Sequence, residues 1–371
     1  MLLQPKGYRV FGLDLMRALA IILVVLGHCL WIFPKAQNGL VIIFQVFAFL
    51  GVEIFFVLSG FLIGNIIYNL YIEDDFNVTK VILFLKRRWF RTLPNYFLVL
   101  IINCYIAFYF SYLQEDTWRY FVFLQNFTTP MPIFFPESWS LSVEEFSYFM
   151  LPFLLIFSSY ICKPNNKPRF FLWVGVFIIV FFIGTKVVYN YTTFNTNMTQ
   201  WNGSLKSVVW YRLDSVFCGV LFAWIYSNWL LFWKKYKTII FIIGLLLIGF
   251  LFVCVGYFKI LIANHPFFWN VIYLPLNSIA VALLLPFLSE WKLSNAWFNK
   301  PIVFISMISY SIYLLHYSII LQLMKSIFII DSDDTLGLTF FMTIYLLITV
   351  SLSYLLYRFF EKPIMDIRDK N

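Results

Sequence analysis

The first apolar run of the sequence, residues 11–33, contains two residues that could take part in chemistry, Arg17 and His28. An imidazole titrates near neutral pH and can take or give a proton, so His28 is a candidate general base. The two residues are eleven positions apart, which is about 16 Å of helical rise and close to a whole number of turns, so both point to one face of a helix. The alternative is structural: Arg17 snorkels to water or pairs with Asp14, and His28 is a hydrogen-bonded packing residue.

Further ionisable side chains interrupt the later apolar runs. Such groups are costly inside apolar segments and tend to mark functional sites. When successive runs are followed in alternating directions, six of these side chains fall at the depth of His28: Glu53, Glu144, Glu145, Arg212, Asp214 and His316. Each alone could be a helix cap, an interfacial residue or half of a buried ion pair, and acidic residues in a first helical turn, such as Glu145 and Asp214, fit that interpretation. Together they predict a polar cavity at one end of the protein.

A basic stretch, KRRWFRTLPNY, precedes the third apolar run. Its Arg88 and Arg91 are three positions apart and are neighbours if the stretch is helical. Because a guanidinium group binds phosphate through two hydrogen bonds and stays charged, these two residues together with Arg17 could hold phosphate groups. For the adjacent Lys86 and Arg87 we favour the simpler interpretation, positive charge beside a membrane.

The composition shows which elements must position these residues. Of the 371 residues, 62% are hydrophobic and 12% are charged, whereas about a quarter of the residues in a water-soluble protein are charged. A helix of ~20 apolar residues crosses the ~30 Å hydrocarbon layer. We therefore predict an all-α, polytopic membrane bundle of about ten transmembrane helices in a single domain, residues 1–371. The apolar runs are 11–33, 40–68, 93–112, 139–161, 170–189, 208–226, 238–257, 267–288, 302–325 and 338–359.

The distribution of charge predicts how the bundle sits in the membrane. Ten crossings place both termini on one side, and most of the 27 Lys and Arg residues, including Lys6 and Lys370, fall in the connectors on that side. Both termini are therefore expected to be cytoplasmic. The net charge of +9 is spread over short connectors and does not indicate nucleic acid. The first run is too long for a cleaved signal core, and the second is long enough to tilt or to break near Gly51 or Gly60.

The cysteines do not predict a metal site or a disulfide framework. The five are scattered singly inside apolar runs, without the paired spacing that either would need. We interpret them as packing residues and expect no bound metal.

Several strings resemble acyltransferase family 3, whose members are membrane proteins that O-acylate cell-surface polysaccharides, peptidoglycan, lipooligosaccharides and small molecules. The resemblance covers nearly the whole chain, and the strings occur in the family's order. They are GLDLMRALAIILVVLGH, GVEIFFVLSGFLIG, RRWFRTLPNYF, WSLSVEEFSYFMLP, YRLDSVFCGVLFA, ISYSIYLLH and FFEKPI.

The resemblance implies a donor, usually acetyl-CoA or another acyl-CoA, taken from the cytoplasm. It implies that His28 is the essential catalytic residue with Arg17 beside it, and that Arg88 and Arg91 belong to the loop associated with the donor. Glu144 matches the acidic residue of the WSLSVEE string, and we count it as catalytic. Five further residues are expected to support the site or bind substrate: Glu53, which stands where many members have Asp, and Trp139, Arg212, Asp214 and His316.

These observations lead to a mechanistic hypothesis for a protein of the inner or plasma membrane. The phosphates of CoA bind the arginines, the pantetheine arm follows the first helix, and His28, oriented by a carboxylate such as Glu144 or Glu53, removes a proton from an acceptor hydroxyl. The expected acceptor is a cell-surface or lipid-linked glycan. Some members carry a fused esterase-like domain, which these residues lack, so we expect the chain to complete the transfer itself or to pass the acyl group to a separate extracytoplasmic protein. The alternative is a transporter or exporter of a polysaccharide or lipid-linked sugar, whose carboxylates and histidines would line a path.

Overall fold

A computed structural model describes residues 9–35, 39–258, 260–292, 297–328 and 331–368, without the side chains of residues 39–43, 45 and 368. Lys6 and Lys370, which entered the charge comparison, lie outside the described residues. The described part of the chain is helical and contains no β-strand, as predicted. Its α-helices are α1 (Phe11–His28), α2 (Gly39–Ile72), α3 (Val78–Tyr109), α4 (Trp139–Cys162), α5 (Lys167–Thr192), α6 (Met198–Trp201), α7 (Leu213–Asn228), α8 (Leu230–Gly256), α9 (Leu274–Ala282), α10 (Leu285–Leu288), α11 (Asn299–Leu315), α12 (Gln322–Ile327), α13 (Thr335–Leu356) and α14 (Lys362–Arg368).

The number of candidate membrane crossings is close to the predicted ten. Within the described ranges, nine helical segments are long and apolar enough to span a membrane. The remaining predicted run, 208–226, forms the 16-residue helix α7, which is roughly 24 Å long and shorter than the ~30 Å apolar layer. The nine segments are Phe11–Ile32, Val46–Ile72, Val78–Tyr109, Pro136–Cys162, Lys167–Thr192, Leu230–Gly256, Phe268–Leu288, Asn299–Ile327 and Thr335–Ile367. The placement of both termini in the cytoplasm stays a prediction.

Helix α2 packs so closely against α1 and α7 that its glycines have no room for a side chain. A methyl group added at Gly60 would lie 1.9 Å from the carbonyl oxygen of Val216 in α7, and one at Gly51 would lie 2.5 Å from that of Ala20 in α1. Small residues allow such close approach between membrane helices. Because α2 continues as one helix of 34 residues through both positions, the break considered near Gly51 or Gly60 is absent, and these glycines permit close packing instead.

Two connectors meet at the end of the bundle where His28 lies, because Glu137 of the first binds Ser318, two positions after His316. We call residues 123–138 and 202–212 the cover loops. The fully buried side chain of Asn126 joins them, because its amide donates to the backbone oxygens of Trp139 (3.1 Å) and Ser207 (2.7 Å). The backbone N–H of Val209 donates in return to the Asn126 carbonyl (3.0 Å). The cover loops are therefore tied to each other and to the start of α4. We call this end the histidine end and the opposite end of α1, near Arg17, the arginine end.

Candidate active site

The arginine end contains a cavity of about 820 Å³, including its open mouth. Arg17 of α1 and Arg88 and Arg91 of α3 all line it, so the structure brings together the three guanidinium groups that the sequence suggested for phosphate binding. They meet because α3 begins at Val78, well before its apolar part, and the basic stretch is helical. Glu144 is the one acidic side chain among the lining residues, so the cavity carries net positive charge and suits a polyanion.

Arg17 is held in place by the start of its own helix and by α11. Its Nη1 atom lies 3.5 Å from the Asp14 carboxylate and 3.3 Å from the hydroxyl of Ser306. The pairing with Asp14 is the structural alternative considered for Arg17, and it is present. Asp14 also binds Arg9 through two bonds of 3.0 and 3.1 Å, so its charge is shared and Arg17 still contributes positive charge to the cavity wall.

Glu144 belongs to the cavity and not to the surroundings of His28. Its carboxylate accepts from Tyr148 (2.6 Å), Ser59 (2.8 Å) and Arg88 (3.3 Å). We expected Glu144 at the depth of His28, and the structure corrects this. Helix α4 starts at Trp139, so Glu144 lies more than a turn inside the helix and on the side that faces Arg88 of α3.

His28 forms a hydrogen-bonded pair with His316. The Nδ1 atom of His316 is 2.8 Å from the Tyr313 carbonyl and 3.1 Å from the Ile312 carbonyl, so it must carry a proton, because a carbonyl only accepts. In the neutral ring the Nε2 atom of His316 is then an acceptor, and it lies 3.0 Å from Nδ1 of His28. His28 Nδ1 also faces the Val24 carbonyl at 3.0 Å. It is therefore the protonated nitrogen of His28.

This tautomer leaves the Nε2 atom of His28 with a free lone pair. No described residue lies within hydrogen-bond distance of it, and the His28 side chain is only partly buried. The Tyr317 ring packs beside the imidazole, with 4.7 Å between centroids. A neutral imidazole held through one nitrogen and open at the other has the arrangement of a general base.

The expected carboxylate partner of His28 is absent from the described residues, because both candidates bind other groups. Glu144 lies in the cavity, and Glu53 is fully buried against Arg212 at 2.5 Å and also accepts from Ser278. The ring nitrogen of His28 that the hypothesis paired with a carboxylate faces His316 instead.

Asp214 is likewise half of a buried ion pair. Its carboxylate lies 2.5 Å from Nζ of Lys186, and both side chains are almost fully buried. The position of Asp214 in the first turn of α7 fits the interpretation, considered from the sequence, of an acidic residue favoured at a helix start. These pairs join α2, α5, α7 and α9 behind the histidine pair.

Two side chains separate the cavity from the histidine pair. Tyr313 and Ser140 both line the cavity and share a 2.6 Å hydrogen bond. The ring of Tyr313 is 5.8 Å from the ring of His316. Along α1, His28 lies about 16 Å from Arg17.

The sequence alone did not identify two polar residues of the histidine end. Buried Glu137 accepts at Oε1 from the backbone N–H (3.0 Å) and the hydroxyl (2.6 Å) of Ser318, two positions after His316. Asn126 joins the cover loops as described above. The sequence signal that could have identified Asn126 was the polar pair QN within the apolar string FVFLQNF. Trp139, expected as a supporting residue, is buried at the start of α4 with its ring against Phe56.

The described residues hold no group of three or more His, Cys, Asp or Glu side chains arranged to bind a metal. The cysteines are all unpaired, and Cys29, Cys218 and Cys254 are buried. The positions of these three agree with packing roles, whereas Cys162 is exposed.

The fold and the site define a polytopic membrane protein with an arginine-lined cavity at one end and a histidine pair beyond it. A family model described as an acyltransferase domain matches residues 10–358. The chain belongs to this family, acyltransferase family 3, as the motifs indicated. It is a multi-pass protein of the cell membrane.

Curated relatives are similar over most of this chain. The peptidoglycan O-acetyltransferase OatA of Listeria monocytogenes is 26% identical over 83% of this chain and 49% of its own length. The O-acetyltransferase OatA of Staphylococcus aureus is 26% identical over 95% of this chain and 57% of its own length. The chain thus spans about half the length of the curated relatives it matches. No solved structure matches it.

Proposed function

We propose that the chain is a membrane O-acetyltransferase that moves an acetyl group from acetyl-CoA to a hydroxyl of a cell-envelope glycan. The observation that carries the proposal is the bonding of His28: its Nδ1 lies 3.0 Å from Nε2 of His316 and 3.0 Å from the Val24 carbonyl, and its Nε2 contacts no polar group of the described residues. This arrangement leaves Nε2 available as a base. The arginine-lined cavity supplies a matching place for the phosphates of CoA. The relative named a peptidoglycan O-acetyltransferase makes a peptidoglycan-type sugar, or its lipid-linked precursor, the acceptor to test first.

The geometry supports the following reaction. Arg88, Arg91 and Arg17 bind the donor phosphates, and the pantetheine arm extends past Tyr313 toward the histidine end. Nε2 of His28 takes the proton of the acceptor hydroxyl as its oxygen attacks the thioester carbonyl. The tetrahedral intermediate collapses with loss of the CoA thiolate, which takes up the proton from the imidazolium. An ester and free CoA are the products, and the enzyme returns to its starting state.

The separation between the two ends is part of the proposal. The phosphate groups of CoA and its thiol lie at opposite ends of a long flexible arm, and the distance from Arg17 to His28 along α1, about 16 Å, suits that arm. With both termini in the cytoplasm, the arginine end faces the cytoplasm, where acyl-CoA is available, and the histidine end faces the acceptor outside. Glu144 supports the donor end by fixing Arg88 and Tyr148.

The direct test is acyl transfer by the purified full-length chain in lipid nanodiscs, with radiolabelled acetyl-CoA and soluble peptidoglycan fragments. We expect the label on the glycan as an ester. His28→Ala should lower the rate by about 10²–10⁴-fold, the usual contribution of general base catalysis. His265→Ala is the matched control, because His265 is exposed and lies outside the site. Wild-type protein that consumes no acetyl-CoA, as expected of a transporter, would overturn the proposal.

A further inference from the structure

Lys206, within the second cover loop, lies near the histidine pair. Helices α1 and α2 touch next to His28, because a methyl group added at Gly27 would lie within 2.2 Å of the Ala48 side chain. The residue after Ala48 is Phe49, and Nζ of Lys206 lies 5.7 Å from the centre of its ring. The charge of Lys206 also acts electrostatically on His28.

The ammonium group of Lys206 lies against two aromatic rings, and these contacts do not occupy its N–H donors. Nζ lies over the rings of Phe49 and Trp139, at 5.7 Å from each centroid, which is within the range of a cation–π interaction. Among the described residues no side chain or backbone oxygen forms a hydrogen bond or ion pair with it. Its three N–H donors therefore remain available for a ligand.

The backbone that carries Lys206 is fixed. Residues Asn202–Lys206 form a π-helical turn, a local structure that is frequent at functional sites. The next residue, Ser207, accepts 2.7 Å from the buried amide of Asn126, which also binds the backbone of Trp139. The lysine is thus held over the tryptophan ring by the same contact that joins the cover loops.

The other cation nearby is already neutralised. Arg212 is paired with Glu53 at 2.5 Å, and neither side chain has exposed surface. Lys206 is therefore a positive charge near His28 that forms no ion pair with a described acidic group. An uncompensated ammonium next to a general base stabilises negative charge that develops on the reacting group.

We propose that Nζ of Lys206 donates to the oxyanion of the tetrahedral intermediate, as a catalytic residue of the proposed acetyl transfer. The step forms the bond between the acceptor oxygen and the carbonyl carbon, and the carbonyl π electrons become the oxyanion that Lys206 binds. When the carbonyl re-forms, the carbon–sulfur bond breaks and CoA leaves as described above. Lys206 keeps its proton throughout. This inference rests on the proposed function.

The charge of Lys206 gives the proposal a pH signature. Burial is the main cause that lowers the pKa of Lys206 to about 8, and repulsion by Arg212 adds to it. Attraction by Glu53 opposes this shift. The ionisable groups that face it are His28 from α1, Glu53 from α2 and Arg212 at the start of α7. Since the pKa is lowered, the ammonium is present below pH 8 and is lost as the pH rises through that value. Activity should fall over the same range.

The experiment measures CoA release by the full-length chain in nanodiscs with acetyl-CoA and a glycan acceptor. Lys206→Gln should lower kcat by about 10²–10³-fold, the usual effect of removing one oxyanion donor, with the KM for acetyl-CoA little changed. Lys206→Arg should retain most activity and move the alkaline fall to higher pH, because an arginine stays charged. Lys234→Gln, at an exposed lysine, is the control and should match the wild type.

The outcomes separate this inference from the proposed function. Active wild-type protein together with a Lys206→Gln variant of normal kcat overturns the role of Lys206 alone. An alkaline fall that does not move in Lys206→Arg overturns it as well, and this readout does not depend on the glutamine variant being folded. Wild-type protein that releases no CoA overturns the proposed function itself.

Discussion

At the scale of single residues, the site depends on which nitrogen of His28 carries a proton. The backbone carbonyls of Tyr313 and Ile312 fix the proton on Nδ1 of His316, and this makes its Nε2 the acceptor for His28. The group that faces His28 Nδ1 is therefore a neutral imidazole rather than a charged carboxylate. In an apolar bundle a neutral partner avoids the cost of burying a charge.

His316 can be tested as a positioning residue. His316→Leu removes the acceptor for His28 Nδ1, so the imidazole can adopt the other tautomer, and kcat should fall by about 10²-fold with little change in the KM for acetyl-CoA. His316→Gln places an amide oxygen near the position of the lost nitrogen and should recover part of kcat. Equal kcat values for the leucine variant and the wild type, measured by CoA release, would show that His28 needs no partner.

The sequence predicted most of the residues that line the cavity and form the histidine pair, but not all of their contacts. His28, Arg17, Arg88 and Arg91 were recognised because charge and imidazole are rare in apolar helices. The hydrogen bond between His28 and His316 depends on which faces of α1 and α11 pack together, and a single sequence does not specify this. Lys206 carried no signal, since a lysine in a connector is normally exposed, and only the fold of the cover loops places it beside His28.

At the scale of helices, the buried ion pairs join the elements behind the site. Glu53 of α2 binds Arg212, which precedes α7, and Ser278 of α9. Asp214 of α7 binds Lys186 of α5. Removing one member of a buried pair leaves the other charge unpaired, which costs about 3–5 kcal/mol. These residues were predicted to support the site, and their contacts favour a structural contribution over a substrate path.

We expect Arg212→Met to lower the melting temperature of the detergent-solubilised protein strongly, because Glu53 is left buried without its cation. The double variant Arg212→Met with Glu53→Leu should recover most of the loss, since neither charge then remains. Asp333→Asn breaks the exposed pair with Lys35, whose side chains are 73% and 58% exposed, and should change the free energy of unfolding by less than about 1 kcal/mol. Equal destabilisation by Arg212→Met and Asp333→Asn would contradict this account.

Helix starts were the main limit of prediction from the sequence at this scale. The apolar run of the third helix was expected from residue 93, whereas α3 begins at Val78 and carries the basic stretch within it. The depth of Glu144 was misjudged for a related reason. Depth is counted from the point where a chain enters the membrane, and a hydropathy pattern does not show that a cover loop precedes Trp139 inside the bundle.

At the scale of the whole molecule, the polar groups are sorted between the two ends. The guanidinium groups line one cavity at the arginine end, and the paired imidazoles lie under the cover loops at the other. Composition and hydropathy were sufficient to predict the helical bundle and the approximate number of crossings. The arginine and the histidine lie at opposite ends because α1 carries both Arg17 and His28, and the helix fixes the distance between them.

The central claim is that the arginine end binds the donor phosphates and the histidine end carries out the acyl transfer. Two donors test this claim. Acetyl-CoA carries phosphates, whereas acetyl-pantetheine has the same thioester and lacks them. Arg91→Gln should raise the KM for acetyl-CoA by about 10-fold or more, the value of a lost charge-assisted bond, and leave acetyl-pantetheine unaffected. His28→Ala should lower kcat with both donors and leave the KM for acetyl-CoA unchanged. An Arg91 variant that impairs both donors equally, or a His28 variant with wild-type kcat, would contradict the account.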